Sequence, residues 1–462
     1  MQTSTFTDLS ARMAGRVVTP SDADWDATRQ VFNLATDLRP TAFALPRDVS
    51  DVVAAVNHAR ERGLRVAPQA TGHNAAAYGA LEDTLLVDVR ELQDISIDTH
   101  AQRVRVGAGV KWERVAPQLS EHGLAGLHGS SPDVGIAGYS LGGGMGWLAR
   151  KYGLQTNSVV AIELVTADGV ARRVDATHEP DLFWALRGGN GNYGVVTAIE
   201  FSVYPVEDLY AGTMFFPFER AAEVLHAWID LEATLPDEIM SWASLLQFPD
   251  VPDVPEPLRG GSFTVVNAAF LGSETEGREL LRPVRDLGPA IDTFAIVPPI
   301  ALGKLAMDPE DPLPIVSTTG LLDDLPHAAV DELVAAVGPG SGSTLGMVQL
   351  RQMGGALGRR SPGAGARATL PGRLSLFALG VPADAESEAA ARSYLRAIDR
   401  VVQPYHTGDY PNFVEEPADA SAFFDAETWR RLREVKASYD PGDLFRGNHR
   451  IPPAEAASAR AA

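Results

Sequence analysis

Residues 126–146 read Gly-Leu-His-Gly-Ser-Ser-Pro-Asp-Val-Gly-Ile-Ala-Gly-Tyr-Ser-Leu-Gly-Gly-Gly-Met-Gly. Eight of these 21 positions are glycine, against 43 in the whole 462-residue chain, so the enrichment is local. Glycine admits positive φ and lets a backbone approach a flat or charged ligand with no Cβ in between. Successive unpaired N–H groups in such a turn form an anion-binding concavity suited to a pyrophosphate. A flexible surface linker is the plain alternative. Val134, Ile136, Leu141 and Met145 are interleaved, however, with Trp147 just beyond, and would be misplaced in solvent. The stretch reads as a buried loop built to lie against something.

The frame around it is globular. With 45% hydrophobic and 21% charged residues, the chain is long enough for two domains and a sizeable core. A net charge of −21 argues against nucleic acid and anionic membrane surfaces as partners, because both need basic patches. The absence of cysteine excludes disulfides, thiolate metal ligands and cysteine nucleophiles. The opening MQTSTFTDLSARMAGR has no apolar run after a basic stretch, so no signal peptide is expected, and no run reaches the length of a membrane span. A cytoplasmic, soluble monomer or homodimer is the default expectation.

Upstream of the glycines, residues 20–45 give an apolar-periodic patch ending at Pro40. A helix is expected over 49–62, with Val52, Val53 and Val56 on one face and Gly63 as its stop. Leu64 to Pro68 reads as a strand entering a second small-residue loop, Gln69-Ala70-Thr71-Gly72-His73-Asn74. Residues 85–89 and 103–107 read as strands and 112–122 as a helix. Downstream, 159–167 and 170–174 form an expected hairpin about Asp168-Gly169. His73 stands alone in its loop. A solitary histidine is usually a satisfied polar residue, and no carboxylate or second histidine sits at ligand spacing, so no metal site is read there.

Gly189, Gly191 and Gly194 form a literal G-x-G-x-x-G. A dinucleotide fingerprint needs a strand before it and a helix after it. Here a helix over 181–186 comes first and a β-branched strand over 195–203 follows, so the nicotinamide reading fails on context. From 206 to 409 the texture changes to alternating strands (211–218, 239–248, 262–271, 344–353, 374–381) interrupted by helices at 219–234, 275–287, 326–337 and 385–402. Long antiparallel strands with helices on one face suit that pattern. The tail carries Tyr410-Pro411-Asn412-Phe413, a helix over 420–438 and the run 439–453 ending in Asn448-His449-Arg450-Ile451-Pro452-Pro453.

Taken together, these stretches resemble the berberine-bridge-enzyme-like FAD-linked oxidoreductases of the vanillyl-alcohol-oxidase superfamily. The matching pieces are Gly72-His73, the run from Gly135 to Trp147, Val165-Thr166-Ala167-Asp168-Gly169 and Asp181 to Gly189, then Tyr410-x-Asn412-Phe413 and Asp440-Pro441-x-x-Leu444-Phe445-Arg446-x-Asn448, all in family order. The resemblance implies an α+β fold: a PCMH-type FAD-binding domain from residues 1–205 and 410–462, with an inserted antiparallel-sheet-plus-helices substrate domain over 206–409. It implies FAD bound covalently through His73 Nδ1 to the flavin 8α-methyl. Relatives often carry a second link from a cysteine; the aligned position here is Ser131, so this chain resembles the single-histidyl subtype. Relatives also often read Arg-x-Gly where this chain has Gln69 to Thr71, so contacts to the pyrophosphate are expected to differ there.

The same resemblance implies cofactor contacts from Ala70, Thr71, Gly72, His73, Asn74 and Tyr78 in the first loop. It places Ser130, Ser131, Val134, Gly135, Gly138, Tyr139 and Gly143 in the second, followed by Gly194, Val196, Tyr410, Asn412 and Asn448. Hydride leaves a substrate C–H for the flavin while a base takes the acidic proton. Tyr410 maps to that base, or to the group that orients the reacting hydroxyl, but a free phenol titrates near 10 and needs a nearby cation or donor. Arg351, beside Gln349 on one strand, is a plausible such cation or a substrate anchor; a surface arginine is the plain alternative. Val134 occupies the family's oxygen-gate position and is the residue type associated with oxidases. The reading therefore favours an oxidase of a small organic substrate such as an alcohol, phenol, amine or natural-product intermediate, with O2 as acceptor and H2O2 as product. A dehydrogenase with another acceptor and a catalytically silent flavin-binding protein remain as alternatives.

Overall fold

Among the described residues, three large sheets and two principal apolar cores set the architecture. The computed structural model describes residues 3–455, so residues 1–2 and 456–462, at the ends of the expected FAD-binding segments, lie outside the described residues. The helix Val49–Arg62 starts where the Asp48 side chain accepts the Asp51 N–H and stops at Gly63, whose φ is 67°. It feeds the strand Arg65–Gln69, which pairs in parallel with Thr84–Asp88; that strand in turn pairs in parallel with Ala42–Leu45. All four residues of Ala42–Leu45 are buried, so this strand has no alternation to betray it.

A second sheet runs in the order Ile95–Asp98, Arg103–Gly107, Val195–Ser202, Val159–Val165, Ala171–Asp175. Helix Pro180–Gly189 precedes the Gly189–Gly194 turn and strand Val195–Ser202 follows it, the reverse of a dinucleotide fingerprint.

The third sheet has nine strands. Its centre is formed by Leu209–Pro217, Ser262–Phe270, Ile239–Gln247, Met347–Gln352, Leu374–Gly380 and Val316–Leu322, each antiparallel to its neighbours. The last of these, Val316–Leu322, was not expected from the sequence pattern. The helix expected over 275–287 is two pieces, Glu274–Leu280 and Arg282–Arg285, the second beginning at Arg282-Pro283, where proline suits a first turn. Period-two alternation divides the sheet's faces. Val348 and Leu350 join the core formed with helices Ala221–Glu232, His327–Val337 and Ala385–Val402. Met347, Gln349 and Arg351 occupy the other face.

The tail returns to the N-terminal part of the fold. Val66 N–H donates to Leu444 O and Arg446 N–H to Val66 O, both at 2.8 Å, which docks Phe445 beside the strand Arg65–Gln69. Among the described residues no helix is long and apolar enough to cross a membrane.

Candidate active site

The glycine-rich segment is pinned at its start, where Ile136 N–H donates to Val110 O at 2.9 Å and Gly135 bridges Lys111. A helix over Ile136–Gly142 follows. Close approach explains two of the glycines. A Cβ on Gly142 would sit 1.7 Å from Asn412 Oδ1, and one on Gly144, whose φ is 81°, would sit 2.6 Å from the Tyr139 ring. The loop is thus shaped to receive the tail, and the two together wall a cavity of about 1290 Å³.

Nearly every sequence-derived site residue lines that cavity: Ala70, Thr71, Gly72, His73, Asn74 and Tyr78; Ser130, Ser131, Val134, Gly135, Gly138 and Tyr139; Gly194 and Val196; Arg351, Tyr410, Asn412 and Asn448. Two do not. Gly143 lies behind Tyr410, where an added Cβ would be 3.0 Å from Cε2, so it serves packing rather than cofactor contact. Gln349 is 1% exposed and off the cavity wall; its Oε1 accepts from Arg351 Nε at 2.6 Å and its Nε2 donates to Ser244 Oγ at 3.1 Å. It holds the Arg351 guanidinium from behind the cavity wall.

Sequence reasoning missed Asp133, Phe32 and Glu415. His73 Nε2 lies 2.9 Å from Asp133 Oδ2, and Phe32 stacks on the imidazole at a centroid distance of 4.2 Å. Burial raises the Asp133 carboxyl, but His73, Ser131 and Lys111 outweigh it and hold the group below its ordinary value. Nδ1 of His73 has no hydrogen-bond partner among the described residues. Asp133 stands two residues after Ser131 in the loop already singled out, and its acidity was the available signal. Phe32 carried none. Glu415 lines the cavity and accepts from Ser317 Oγ at 2.9 Å; burial pushes its carboxyl up to about 6, against that hydrogen bond and the His73 charge.

Tyr410 is 1% exposed, and its Oη accepts the Gly144 and Met145 N–H groups at 2.8 and 3.2 Å and Asn412 Nδ2 at 2.9 Å. Asn412 Nδ2 also donates to Tyr139 O at 3.0 Å, which fixes the amide's orientation. Three N–H donors converge on an oxygen with two lone pairs, so the position of the hydroxyl is fixed by them. Burial pushes the phenol up to about 12, despite those backbone donors and the Arg367 and Arg351 charges. At neutral pH it keeps its proton. Of the two roles expected for Tyr410, this geometry favours orienting a reacting group over accepting a proton.

The cavity fits FAD. It exceeds the roughly 300–1,000 Å³ of a site for one drug-sized ligand. Its wall is open at Gly138, where an added Cβ would meet nothing within 4 Å. Two cavity-lining residues, Gln69 and Asn74, carry buried amide oxygens with no partner, Oε1 and Oδ1, available to a ligand's donors. Asn448 Nδ2 donates to Asn74 O and Asn74 Nδ2 to Pro411 O, tying the first loop to the tail at this wall.

Comparison with known proteins agrees with this picture. A family model described as an FAD binding domain matches residues 40–175, and one described as berberine and berberine like matches residues 409–452. The chain is 29% identical over 460 residues to (R)-6-hydroxynicotine oxidase of Paenarthrobacter nicotinovorans, covering 95% of this chain and 97% of that one. The fold superposes on BBE-like 1 of Physcomitrella patens with a TM-score of 0.84 at 22% identity, covering 98% of this chain and 100% of that one. It superposes on 6-hydroxy-D-nicotine oxidase of Arthrobacter nicotinovorans with a TM-score of 0.81 at 25% identity, covering 97% and 99%.

Proposed function

Because the chain belongs to the berberine-bridge-enzyme-like FAD-linked oxidoreductases, we propose that it is an oxidase that holds FAD covalently through His73 Nδ1, oxidises a small organic substrate and uses O2 as acceptor, releasing H2O2. On this reading residues 1–205 and 410–462 form the FAD-binding part and 206–409 the substrate part. The observation that carries it is that His73, Val134 and Tyr410, from three distant stretches, line one cavity.

Bound FAD supplies the two-electron redox chemistry. The protein's share is positional and electrostatic. Asp133 holds the Nε2 side of His73 and leaves Nδ1 free for the covalent bond. Asn412, Gly144 and Met145 fix the Tyr410 hydroxyl, which then directs its proton at the reacting polar group of the substrate. Arg351 places a positive charge on the same wall; burial lowers its guanidinium to about 10, which leaves it charged at neutral pH. On this reading Val134, on the cavity wall, is the side chain that O2 passes. A dehydrogenase is the competing reading. The purified protein, reduced anaerobically and then mixed with air, tests between them: fast return of the oxidised spectrum with peroxide release supports the oxidase, and slow return beside fast reaction with quinone or dye acceptors assigns a dehydrogenase.

A further inference from the structure

The sheet face turned toward the cavity is built in rows. Trp242, Arg351 and Ser375 stand opposite one another across three strands; the next row is Ser244, Gln349 and Phe377, and the next Leu246, Met347 and Leu379. The face is therefore polar at one end and apolar at the other. Leu246, Phe248, Met347, Phe377, Leu379 and Phe413 all line the cavity.

Arg351 is the single lysine or arginine among the described cavity-lining residues, and it is 4% exposed. Its guanidinium lies 4.1 Å from the Trp242 ring centroid and 4.8 Å from that of Phe413, and Nε is engaged by Gln349. No carboxylate stands within ion-pair distance among the described residues; Asp308, on the same cavity's lining, acts on the guanidinium from farther off. The two terminal nitrogens make no hydrogen bond to the protein and are not sealed off from the cavity. A buried guanidinium without a counter-ion is costly, and flanking aromatic faces offset only part of that cost. The open fork matches a planar or single anionic oxygen. The cavity's lining also carries the exposed Asp253, Glu310 and Asp311 and the half-buried Asp308 and Glu415, so Arg351 is the one arginine or lysine among several carboxyl groups there.

We propose that Arg351 anchors an acidic oxygen, a carboxylate or a phenolic hydroxyl, on a substrate whose remaining body is an apolar ring system lying along Leu246, Met347, Phe377 and Leu379. Gln349 is the positioning residue that fixes the guanidinium. The inference rests on the oxidoreductase reading only for which end of the cavity reacts.

The test is calorimetric titration of the protein as purified with 2-naphthoate, 2-naphthol and the neutral 2-naphthylmethanol. Flavin content is read from the visible spectrum beforehand, so loss of the FAD reading shows before any probe is added. Preference for either acidic probe over the neutral one by about tenfold or more is expected. Naphthoate leading identifies a carboxylate, and naphthol leading a phenol. Arg351→Met, which keeps length and apolar bulk, should bring all three probes to similar affinity with flavin content unchanged, and Arg351→Lys should retain part of the preference. Equal affinities in the wild type, a preference that survives Arg351→Met, or no saturable binding of any probe overturns the proposal.

Discussion

Asp133 Oδ2 sits 2.9 Å from His73 Nε2, and the carboxylate itself is 5% exposed. This contact sets the direction of the Nε2 side: Nε2–H donates to the acid, and in the neutral imidazole Nδ1 then presents its lone pair. A second acceptor contact, Ser131 Oγ donating to Asp133 Oδ1, keeps the carboxylate in place.

On this account Asp133 is required for the covalent bond more than for FAD binding. Asp133→Ala should slow covalent incorporation by about 10²-fold, the low end of what proton-handling groups contribute. Asp133→Asn, which keeps an acceptor but no charge, should fall between. The check is the fraction of flavin that stays with acid-precipitated protein over time after FAD is added to flavin-free enzyme. Wild-type rates in Asp133→Ala would remove the residue from this role.

Tyr410→Phe removes one oxygen and leaves three buried donors, the Gly144 and Met145 N–H groups and Asn412 Nδ2, facing a ring edge. Asn412 Nδ2 keeps its bond to Tyr139 O, so two of the three lose their partner; at about 1–3 kcal/mol for each buried donor left unpaired, the variant should be less stable by roughly 2–6 kcal/mol. Its anaerobic reduction by substrate should slow by about 10²-fold. Because the hydroxyl is pushed up to about 12, the wild-type and variant pH profiles should share their shape across the neutral range. A limb lost only in the variant would restore Tyr410 as the base.

Much of this site was legible because its chemistry is carried by residues that announce themselves. Glycine density marked the loop, His73 and Tyr410 stood in punctuated contexts, and the helix-then-strand order about Gly189–Gly194 excluded a nicotinamide site. What was illegible depended on pairing across the chain. Gln349 and Arg351 look equivalent at period two, yet Gln349 is bound to Ser244 and stands off the cavity wall that Arg351 lines. Gly143 looks like its glycine neighbours, yet its partner is the Tyr410 ring. Ala42–Leu45 is buried on both faces and shows no alternation, and Phe32 meets His73 only after the chain has folded.

Glu415 carries a pH prediction. Burial pushes its carboxyl from 4.5 up to about 6, so the folded state prefers the neutral acid. The stability this contributes is fully present below the unfolded value and is lost as pH rises through about 6. Glu415→Gln should therefore exceed the wild type in stability at about pH 7.5, by about 1 kcal/mol after allowance for partial exposure, and match it near pH 4.5. Thermal melts at the two pH values decide it. A gap that grows toward acid would contradict the assignment.

Val134 lines the cavity one residue from Asp133. Val134→Ile adds a single methylene at the wall and should slow reoxidation by air severalfold, while reduction by substrate and turnover with dye acceptors stay within about twofold of wild type. Equal slowing of all three would point to distortion of the loop.

The central claim is that His73 carries the flavin. The direct measurement is the mass of the proteolytic peptide containing His73, taken from protein denatured in acid. The account predicts that this peptide bears FAD less two hydrogens through its imidazole, that the yellow colour precipitates with the protein, and that His73→Ala releases extractable flavin. An unmodified His73 peptide, with all the flavin of the wild-type protein left in the supernatant, would contradict it.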